Sequence, residues 1–363
     1  MTAVPAPARP DLVDARYARW DGVGAPFTVV PAAVPRVPGP GEALVEIDLA
    51  TVCGSDLHTV AGHRPSPAPG VLGHEQVGRV VAVGPGAPPR CVDGAPVGPG
   101  ARIVWSVAAS CGTCPRCRRD MPQKCLELRK YGHEPLDEAA PLTGGFATHC
   151  VVLPGTAIVT VPDDVPDVVA GPASCATATV AAVLAAAGPI EAGARALVSG
   201  AGMLGVTAVA MLAQAGAHVL AVDPDGARRE QARRFGAAEV APGGAGVTDV
   251  DVAVELSGAA VAVGSCLDAL AVGGVAVLAG SVSPGPAVPL DPERLVRGLH
   301  RVVGVHNYRP ADLQAAVDFL AAHHRTYPFA ELVAGRYRLD ELDEAVASAR
   351  RGPAPRQAVV PGA

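Results

Sequence analysis

Metal-binding and proton-carrying side chains are concentrated between positions 53 and 78 of the chain. Cysteine and histidine are the ligand types that zinc prefers in proteins. We therefore predict that Cys53 and His74 bind a catalytic zinc ion, with the remaining ligand supplied from elsewhere. The alternative is that both residues are buried for packing alone, because short motifs also occur by chance. The polar residues of this stretch include Cys53, Ser55, Asp56, His58, His74 and Glu75.

A second cluster contains four cysteines in a polar loop, spaced C-x2-C-x2-C-x7-C. This spacing is typical of a tetrahedral zinc site with four thiolate ligands. Two disulfides would use the same residues, but a reducing cytosol disfavours them. Four protein ligands leave no open position, so we predict a structural zinc ion that takes no part in the chemistry. The ligands are Cys111, Cys114, Cys117 and Cys125, in a lobe over residues 108–128.

A glycine-rich turn, Gly200-Ala-Gly202-Met-Leu-Gly205, follows the predicted buried strand Arg195–Ser199 and precedes a predicted helix. Glycines at these positions let the backbone approach a pyrophosphate at the helix N-terminus. The next predicted strand ends at Asp223, whose carboxylate can accept ribose hydroxyls and would repel a 2′-phosphate, which favours NAD over NADP. Arg228 and Arg229 weaken this preference if either meets a phosphate; otherwise they belong to a solvated helix face.

Two patterns of secondary structure surround these motifs. Up to residue 105 the apolar residues predict short strands and turns without a helix, and Cys53 is expected on a loop after a strand. A continuous helix is expected over Asp167–Ala187. From residue 195 to 305, strands alternate with helices, which indicates a doubly wound parallel sheet. We therefore predict an α/β protein with a zinc domain, residues 1–165 and 309–363, and a nucleotide-binding domain, residues 166–308.

The composition is that of an ordinary globular protein, with 363 residues of which 49% are hydrophobic and 18% charged. A net charge of −6 argues against nucleic acid or an anionic membrane as the main partner. We find no signal-peptide pattern and no unbroken membrane-length apolar segment, so we expect a cytoplasmic protein. The odd number of cysteines favours metal binding over a disulfide framework. Cys91, Cys150 and Cys266 match no motif and are expected to pack in the core.

Together these motifs resemble the zinc-dependent medium-chain dehydrogenase/reductase superfamily, which includes the alcohol dehydrogenases. The segment Gly73-His74-Glu75-x2-Gly78-x5-Gly84-x2-Ala87 is similar to that family's zinc signature, and the other motifs follow in the family's order. The resemblance implies a Rossmann nucleotide domain and a mainly β, GroES-like catalytic domain. It also implies two zinc ions and NAD per chain, a small-molecule alcohol or carbonyl substrate, and a homodimer or homotetramer.

The resemblance assigns Cys53, His74 and Cys175 as ligands of the catalytic zinc. Some relatives use a glutamate as the third protein ligand of this zinc, whereas others use a cysteine. With Cys175 at this position, the chain resembles the relatives that use a cysteine. Glu75 would lie directly behind the metal and could bind it transiently. Asp56 would hydrogen-bond His74 and fix its tautomer.

The resemblance also implies a proton path and cofactor contacts. Ser55 would take the proton of the substrate hydroxyl and pass it, through the nicotinamide ribose, to His58 and solvent. Thr179 and Leu204 would pack near the nicotinamide. Arg356 would pair with the pyrophosphate. In such an enzyme zinc polarises the substrate oxygen, and the cofactor carries the hydride.

The substrate is predicted from the basic residues on the loops that should line the pocket. A cluster of such groups in an acidic protein suggests an anionic substrate, unless they are ordinary solvent-exposed loop residues. Segments 128–134 and 304–310 also resemble a subgroup proposed to act in phosphonate metabolism, and Arg and Lys suit a phosphonate group. The alternatives are a neutral alcohol or polyol dehydrogenase, a zinc-free reductase of the same superfamily, and an inactive dinucleotide sensor. The candidate substrate residues are Arg64, Lys130, His133 and His306.

Overall fold

The structure, a computed structural model, describes residues 11–352 and 354–363. Its strands are β1 (Leu12–Trp20), β2 (Thr28–Pro35), β3 (Ala43–Val52), β4 (Gly70–Val71), β5 (Gln76–Val83), β6 (Arg102–Ala109), β7 (Arg129–Lys130), β8 (His149–Val152), β9 (Thr156–Thr160), β10 (Arg195–Ser199), β11 (His218–Val222), β12 (Glu239–Ala241), β13 (Val250–Glu255), β14 (Leu270–Leu278), β15 (Arg301–Gly304), β16 (Val333–Tyr337) and β17 (Arg356–Val359).

The α-helices lie mostly in the second half of the chain. They are α1 (Gly54–Val60), α2 (Asp167–Ala170), α3 (Ala176–Ala187), α4 (Met203–Gln214), α5 (Gly226–Arg234), α6 (Ala260–Asp268), α7 (Pro292–Arg297), α8 (Pro310–His323) and α9 (Leu342–Arg351). Among the described residues, no single helix is both long and apolar enough to cross a membrane. The bent pair Asp167–Ser174 and Ala176–Ala187, with 54° between its halves, meets those criteria only when joined.

Six strands form a parallel sheet in the order β12-β11-β10-β13-β14-β15. The central strands β10 and β13 are rich in buried Val, Ala and Leu, as expected when helices cover both faces. Helix α4 begins at Met203, within the glycine-rich motif and directly after Gly202, and β11 ends one residue before Asp223. The predicted doubly wound parallel sheet is confirmed.

The remaining strands build a mixed sheet in the order β16-β17-β3-β5-β6-β7, with β8 beside β3 and β9 beside β6, and a small sheet β2-β1-β4. The C-terminal strand β17 pairs antiparallel with β3, and Gln357 lies opposite Val52 at the end of that strand. The chain therefore returns to the zinc-binding part after completing the parallel sheet. The residue limits of the two domains remain a prediction.

Two local expectations are corrected. A helix does occur before residue 105, because α1 follows β3 directly and Cys53 is its N-cap. Its seven residues are too few for a helical period to stand out in the sequence. The helix expected over 167–187 is interrupted by a 3-10 turn at Gly171–Ser174, where Pro172 has no N–H to donate. This interruption places Cys175 at the N-cap of α3.

Candidate active site

Cys53, Ser55 and His74 meet where β3, α1 and β5 come together. Cys53 Sγ lies 3.2 Å from His74 Nε2. Ser55 Oγ lies 2.9 Å from that sulfur and 3.1 Å from that nitrogen. Cys53 and His74 are only 2% and 3% exposed. The two predicted ligands are therefore neighbours in a buried position, with a serine hydroxyl beside them.

Cys175, the N-cap of α3, lines the same cavity as Cys53 and His74. A hydrogen bond shared with Cys53, together with burial, raises the pKa of Cys175. Burial opposes ionisation of Cys53, but the hydrogen bond with Cys175 and the nearby His74 lower its pKa well below the usual range. Burial also disfavours a charged His74, yet Cys53 and Asp56 raise the pKa of His74 to about 9. The cluster is thus a buried region that favours a cation.

Two thiols and one imidazole are the donor set of a zinc site that keeps a position open for substrate. The burial of these groups and their negative surroundings fit such an ion, so Cys53, His74 and Cys175 would hold it. The hydroxyl of Ser55 already lies within hydrogen-bonding distance of two of these ligand atoms. It is therefore placed to contact a substrate oxygen at the same centre.

Asp56 supports the cluster from inside α1. Its Oδ2 accepts the Cys53 N–H at 2.9 Å. Its Oδ1 lies 3.8 Å from His74 Nδ1, beyond hydrogen-bonding distance, and neither atom has a partner among the described residues. Burial without a partner is costly for both groups. The hydrogen bond that fixes the His74 tautomer is not formed here and remains a prediction.

Glu75 forms a bidentate ion pair with Arg356 of β17. The Arg356 Nε and Nη2 groups donate to the two carboxylate oxygens at 2.6 and 2.8 Å. Thr51 Oγ1 also donates to Glu75, at 2.6 Å. Glu75 is fully buried and Arg356 is 6% exposed. Since Arg356 is held by Glu75 while its side chain still lines the cavity described next, its contact with a pyrophosphate remains a prediction.

A cavity of about 320 Å³ opens in front of the cluster. His58 is exposed, so a proton that reaches it can pass to solvent. The predicted residues that line this cavity are Cys53, Ser55, His58, Arg64, His74, Lys130, Cys175, Thr179, Leu204, His306 and Arg356. Most of the predicted site is therefore brought to one place.

His133 is not among the residues that line this cavity. Its ring packs against His74, with 5.1 Å between the ring centroids. Burial and the nearby His74 lower the pKa of His133 to about 2, so the ring is neutral. The expectation that His133 faces the substrate is corrected: it supports the His74 ring instead.

Two cationic side chains in the cavity, Arg64 and Lys130, form no ion pair with a carboxylate in the described part of the chain. By contrast, Arg129, adjacent to Lys130, is paired with Glu134 at 2.8 Å. Burial and the charge of Arg64 lower the pKa of Lys130 to about 8. No Asp or Glu from the described residues lines the cavity. Its wall thus carries positive charge that no acidic side chain compensates.

The glycine turn leaves room for a ligand at the N-terminus of α4. Gly200 has a φ of +92°, which favours glycine. A Cβ at Gly205 would collide with the Gly200 carbonyl oxygen, whereas a Cβ at Gly202 would meet open space. Asp223 Oδ2 accepts the Ala201 N–H at 2.9 Å. Arg228 Nη1 lies 3.8 Å from the same oxygen. A dinucleotide fits this arrangement, with its pyrophosphate at the turn and a ribose near Asp223.

The four cysteines of the predicted structural site converge. Their Sγ atoms all lie within 4.8 Å of one another, and three of the separations are 3.4, 3.5 and 3.9 Å. Zinc–sulfur bonds of about 2.3 Å in a tetrahedron require separations of about 3.8 Å, whereas a disulfide is about 2.05 Å long. Backbone hydrogen bonds lower the pKa of Cys111 and lower that of Cys114 to about 6, whereas burial and hydrogen bonds with neighbouring thiols raise that of Cys117 to about 12. These sulfurs fit a four-thiolate zinc site.

Several residues at the site were not predicted. The Tyr308 hydroxyl donates to the carbonyl of Ser174, next to the ligand Cys175, and accepts the Val107 N–H at 3.1 Å. Lys124 Nζ donates to His306 Nδ1 at 2.6 Å. One signal was available, since the chain has only two lysines, Lys124 and Lys130, and both lie here. Nothing local in the sequence marked Tyr308.

Comparison with known proteins agrees with this geometry. The alcohol dehydrogenase GroES-like domain family matches residues 39–163, and the zinc-binding dehydrogenase family matches residues 204–322. A geraniol dehydrogenase from Castellaniella defragrans is 30% identical, covering 95% of this chain and 97% of its own length. An L-threonine 3-dehydrogenase from Pyrococcus abyssi is 33% identical over 74% of this chain and 76% of its own.

A crystal structure of an alcohol dehydrogenase from Thermotoga maritima superimposes with a TM-score of 0.89 at 26% identity, covering 96% of this chain and all of the other. The chain belongs to the zinc-dependent medium-chain dehydrogenase/reductase family. It is an oxidoreductase that interconverts alcohols and carbonyl compounds, with zinc and a nicotinamide dinucleotide as cofactors.

The lobe predicts a change in metal content. Cys114→Ser should lower the zinc content from about two to about one per chain, because a neutral hydroxyl replaces a thiolate ligand. Elemental analysis of the purified protein measures this. Cys91→Ala, which removes a buried cysteine outside both clusters, is the control and should retain both ions. Unchanged zinc in Cys114→Ser would contradict the assignment.

The buried ion pair predicts a stability difference. Glu75→Gln leaves Arg356 charged and without its partner, so the free energy of unfolding should fall by about 3–5 kcal/mol. Glu331→Gln breaks the exposed pair with Arg234 at 2.7 Å and should cost at most about 1 kcal/mol. Urea denaturation of both variants provides the comparison. If both variants lose the same free energy of unfolding, burial does not make the Glu75–Arg356 pair more important for stability than an exposed pair.

Proposed function

We propose that the protein interconverts a small anionic hydroxy compound and its aldehyde or ketone, with a phosphonate-bearing alcohol as one candidate. The observation that carries this proposal is the pair of unpaired cations, Arg64 and Lys130, in a cavity that also contains the zinc-ligand cluster. Arg64 and Lys130 are both partly buried. Removing part of an uncompensated charge from water is unfavourable, so two such charges suit a ligand that neutralises them. A guanidinium and an ammonium can both bind a phosphonate or carboxylate group.

The chain's own residues then have distinct tasks. Arg64 and Lys130 bind the anionic end of the substrate and orient its hydroxyl-bearing carbon toward the cluster. Ser55 exchanges the hydroxyl proton, and the exposed His58 exchanges it with solvent. Thr179 and Leu204 provide an apolar wall beside the nicotinamide and exclude water. Zinc, when bound, supplies Lewis-acid polarisation of the substrate oxygen.

A neutral alcohol is the second candidate. The two relatives described above are named for substrates of both kinds, since geraniol is uncharged and L-threonine has a carboxylate. The family therefore accommodates either class, and the cavity charge is what favours the anion in this chain.

Substrate charge can be tested with 2-hydroxyethylphosphonate and 1-butanol, which are similar in size. Arg64→Ala and Lys130→Ala should each raise KM for the phosphonate about 10- to 100-fold, since a hydrogen bond to a charged group contributes about 1.5–3 kcal/mol. KM for butanol should change little. Steady-state kinetics with NAD measures both.

Arg129→Ala is the matched control, because Arg129 neighbours Lys130 but is exposed and paired with Glu134. It should leave both substrates unaffected. If the wild type uses both compounds equally well and the two cavity variants change neither KM, a neutral substrate is the better assignment.

We propose NAD rather than NADP as the cofactor. Asp223 is 4% exposed and directly follows β11, so its carboxylate would lie near the adenosine ribose. Arg228 works against this preference, but its guanidinium lies 3.8 Å from Asp223, which offsets its charge.

Asp223→Ser should shift the ratio of kcat/KM for NAD to that for NADP toward NADP at least tenfold, roughly the effect of one charged hydrogen bond. The control is Asp291→Ser, which removes an exposed carboxylate, the N-cap of α7; it should leave the ratio unchanged. If Asp223→Ser leaves the ratio of kcat/KM for the two cofactors unchanged, the Asp223 carboxylate does not contact the ribose.

We also propose a homodimer or homotetramer in which β15 contacts a second copy. This strand is an edge of the parallel sheet, and an open edge favours pairing with another chain. Apolar side chains are exposed around it, including Val296 at 70%, Leu299 at 71% and Val302 at 41%.

We further propose a cytoplasmic location. It accords with the four-thiolate lobe, because thiolates persist in a reducing compartment.

A further inference from the structure

Two side-chain hydrogen bonds link the four-cysteine lobe to the segment 305–309. Lys124 Nζ lies 2.6 Å from His306 Nδ1. Arg309 Nη1 donates to Asp120 Oδ2 at 3.0 Å. A small cavity of about 30 Å³ is walled by both parts, including Gln123 of the lobe and Tyr308 of the segment. The lobe therefore packs against the segment at several points.

The segment itself has little freedom. Asn307 has a φ of +57°, which confines the backbone to a turn. Tyr308 is buried and bonded to the Ser174 carbonyl and to the Val107 N–H. His306, between the turn and β15, lines the cavity that holds Arg64 and Lys130. Because the backbone is held, only the orientation of the His306 imidazole can still change. The hydrogen bond from Lys124 to that ring restricts this orientation.

The chemistry of the two groups determines the His306 tautomer. An ammonium group has three donors and no acceptor. His306 Nδ1 must therefore accept, and the ring proton must reside on Nε2. His306 is exposed to solvent although it lines the cavity. An Nδ1 that accepts from an ammonium carries no proton, so the ring is neutral and offers one N–H. Partial burial and the charges of Lys124, Lys130 and Arg64 act in the same direction and lower the pKa of His306 to about 4.

We propose that Lys124 is a positioning residue that makes His306 Nε2–H a hydrogen-bond donor to the anionic group of the substrate, so that the metal lobe contributes to specificity. The inference rests on the proposed anionic substrate. It assigns the lobe a task beyond bracing the fold. Lys124 does not touch the substrate in this arrangement and acts through His306.

Lys124→Met keeps the length of the side chain and removes its charge and donors. KM for 2-hydroxyethylphosphonate should rise roughly tenfold, the effect of losing one hydrogen bond to a charged group, with kcat nearly unchanged. Lys124→Arg should restore most of the affinity. Arg118→Met removes an exposed charge from the same lobe and should behave as the wild type.

A double-mutant cycle separates positioning from a direct or structural effect. If Lys124 acts through His306, then His306→Ala and Lys124→Met/His306→Ala should have the same KM. Additive effects of the two changes would overturn the proposal. Zinc content of each variant must stay at the wild-type value, and a Lys124→Met protein that loses zinc is replaced by Lys124→Gln in the same cycle.

A readout without substrate keeps the test independent of the proposed function. Nitrogen-15 NMR of the zinc-loaded protein, assigned with His306→Ala, should report an unprotonated Nδ1 and a protonated Nε2 on His306. In Lys124→Met the His306 pKa should rise, because a neighbouring cation has been removed. If NMR and the cycle agree but neutral alcohols respond as the phosphonate does, the anionic substrate is wrong and the positioning role stands. An unchanged His306 spectrum overturns the positioning role itself.

Discussion

The ion pair between Glu75 and Arg356 is the interaction on which the site depends most. It joins residues 281 positions apart and is almost completely shielded from water. An unpaired charge at either position would be strongly destabilising, so β17 must lie beside β3 at the level of Thr51. Because His74 directly precedes Glu75, the ion pair also fixes the position of the His74 backbone. The last strand of the chain thereby helps to place a ligand near the beginning of it.

Features built from neighbouring residues could be predicted from the sequence. The four cysteines of the lobe lie within 15 positions, and the glycine turn is enclosed by its own strand and helix. Their spacing therefore determines most of their geometry. The doubly wound sheet was equally accessible because helix and strand periodicities alternate along the chain. The assignment of Cys175 came from family resemblance, since nothing near it in the sequence indicates a metal.

Side-chain direction in short irregular segments could not be predicted. Lys130 and His133 belong to one turn, yet Lys130 lines the cavity and His133 packs against His74. Strand β7 has only two residues, so no alternation of apolar residues identifies its inner face. The bond between Lys124 and His306 spans 182 positions and likewise depends on how the lobe docks. Such contacts are set by packing between parts of the fold rather than by local pattern.

Charge is handled in opposite ways on the two sides of the zinc-ligand cluster. Behind it, the carboxylate of Glu75 neutralises the charge of Arg356 in a buried ion pair. In front of it, Arg64 and Lys130 have no such partner, and burial together with the charge of Arg64 lowers the pKa of Lys130 to about 8. Unsatisfied charge costs stability and persists where function requires it. An anion in the cavity would supply the neutralisation that Glu75 supplies behind the cluster, so substrate binding would also relieve the repulsion between Arg64 and Lys130.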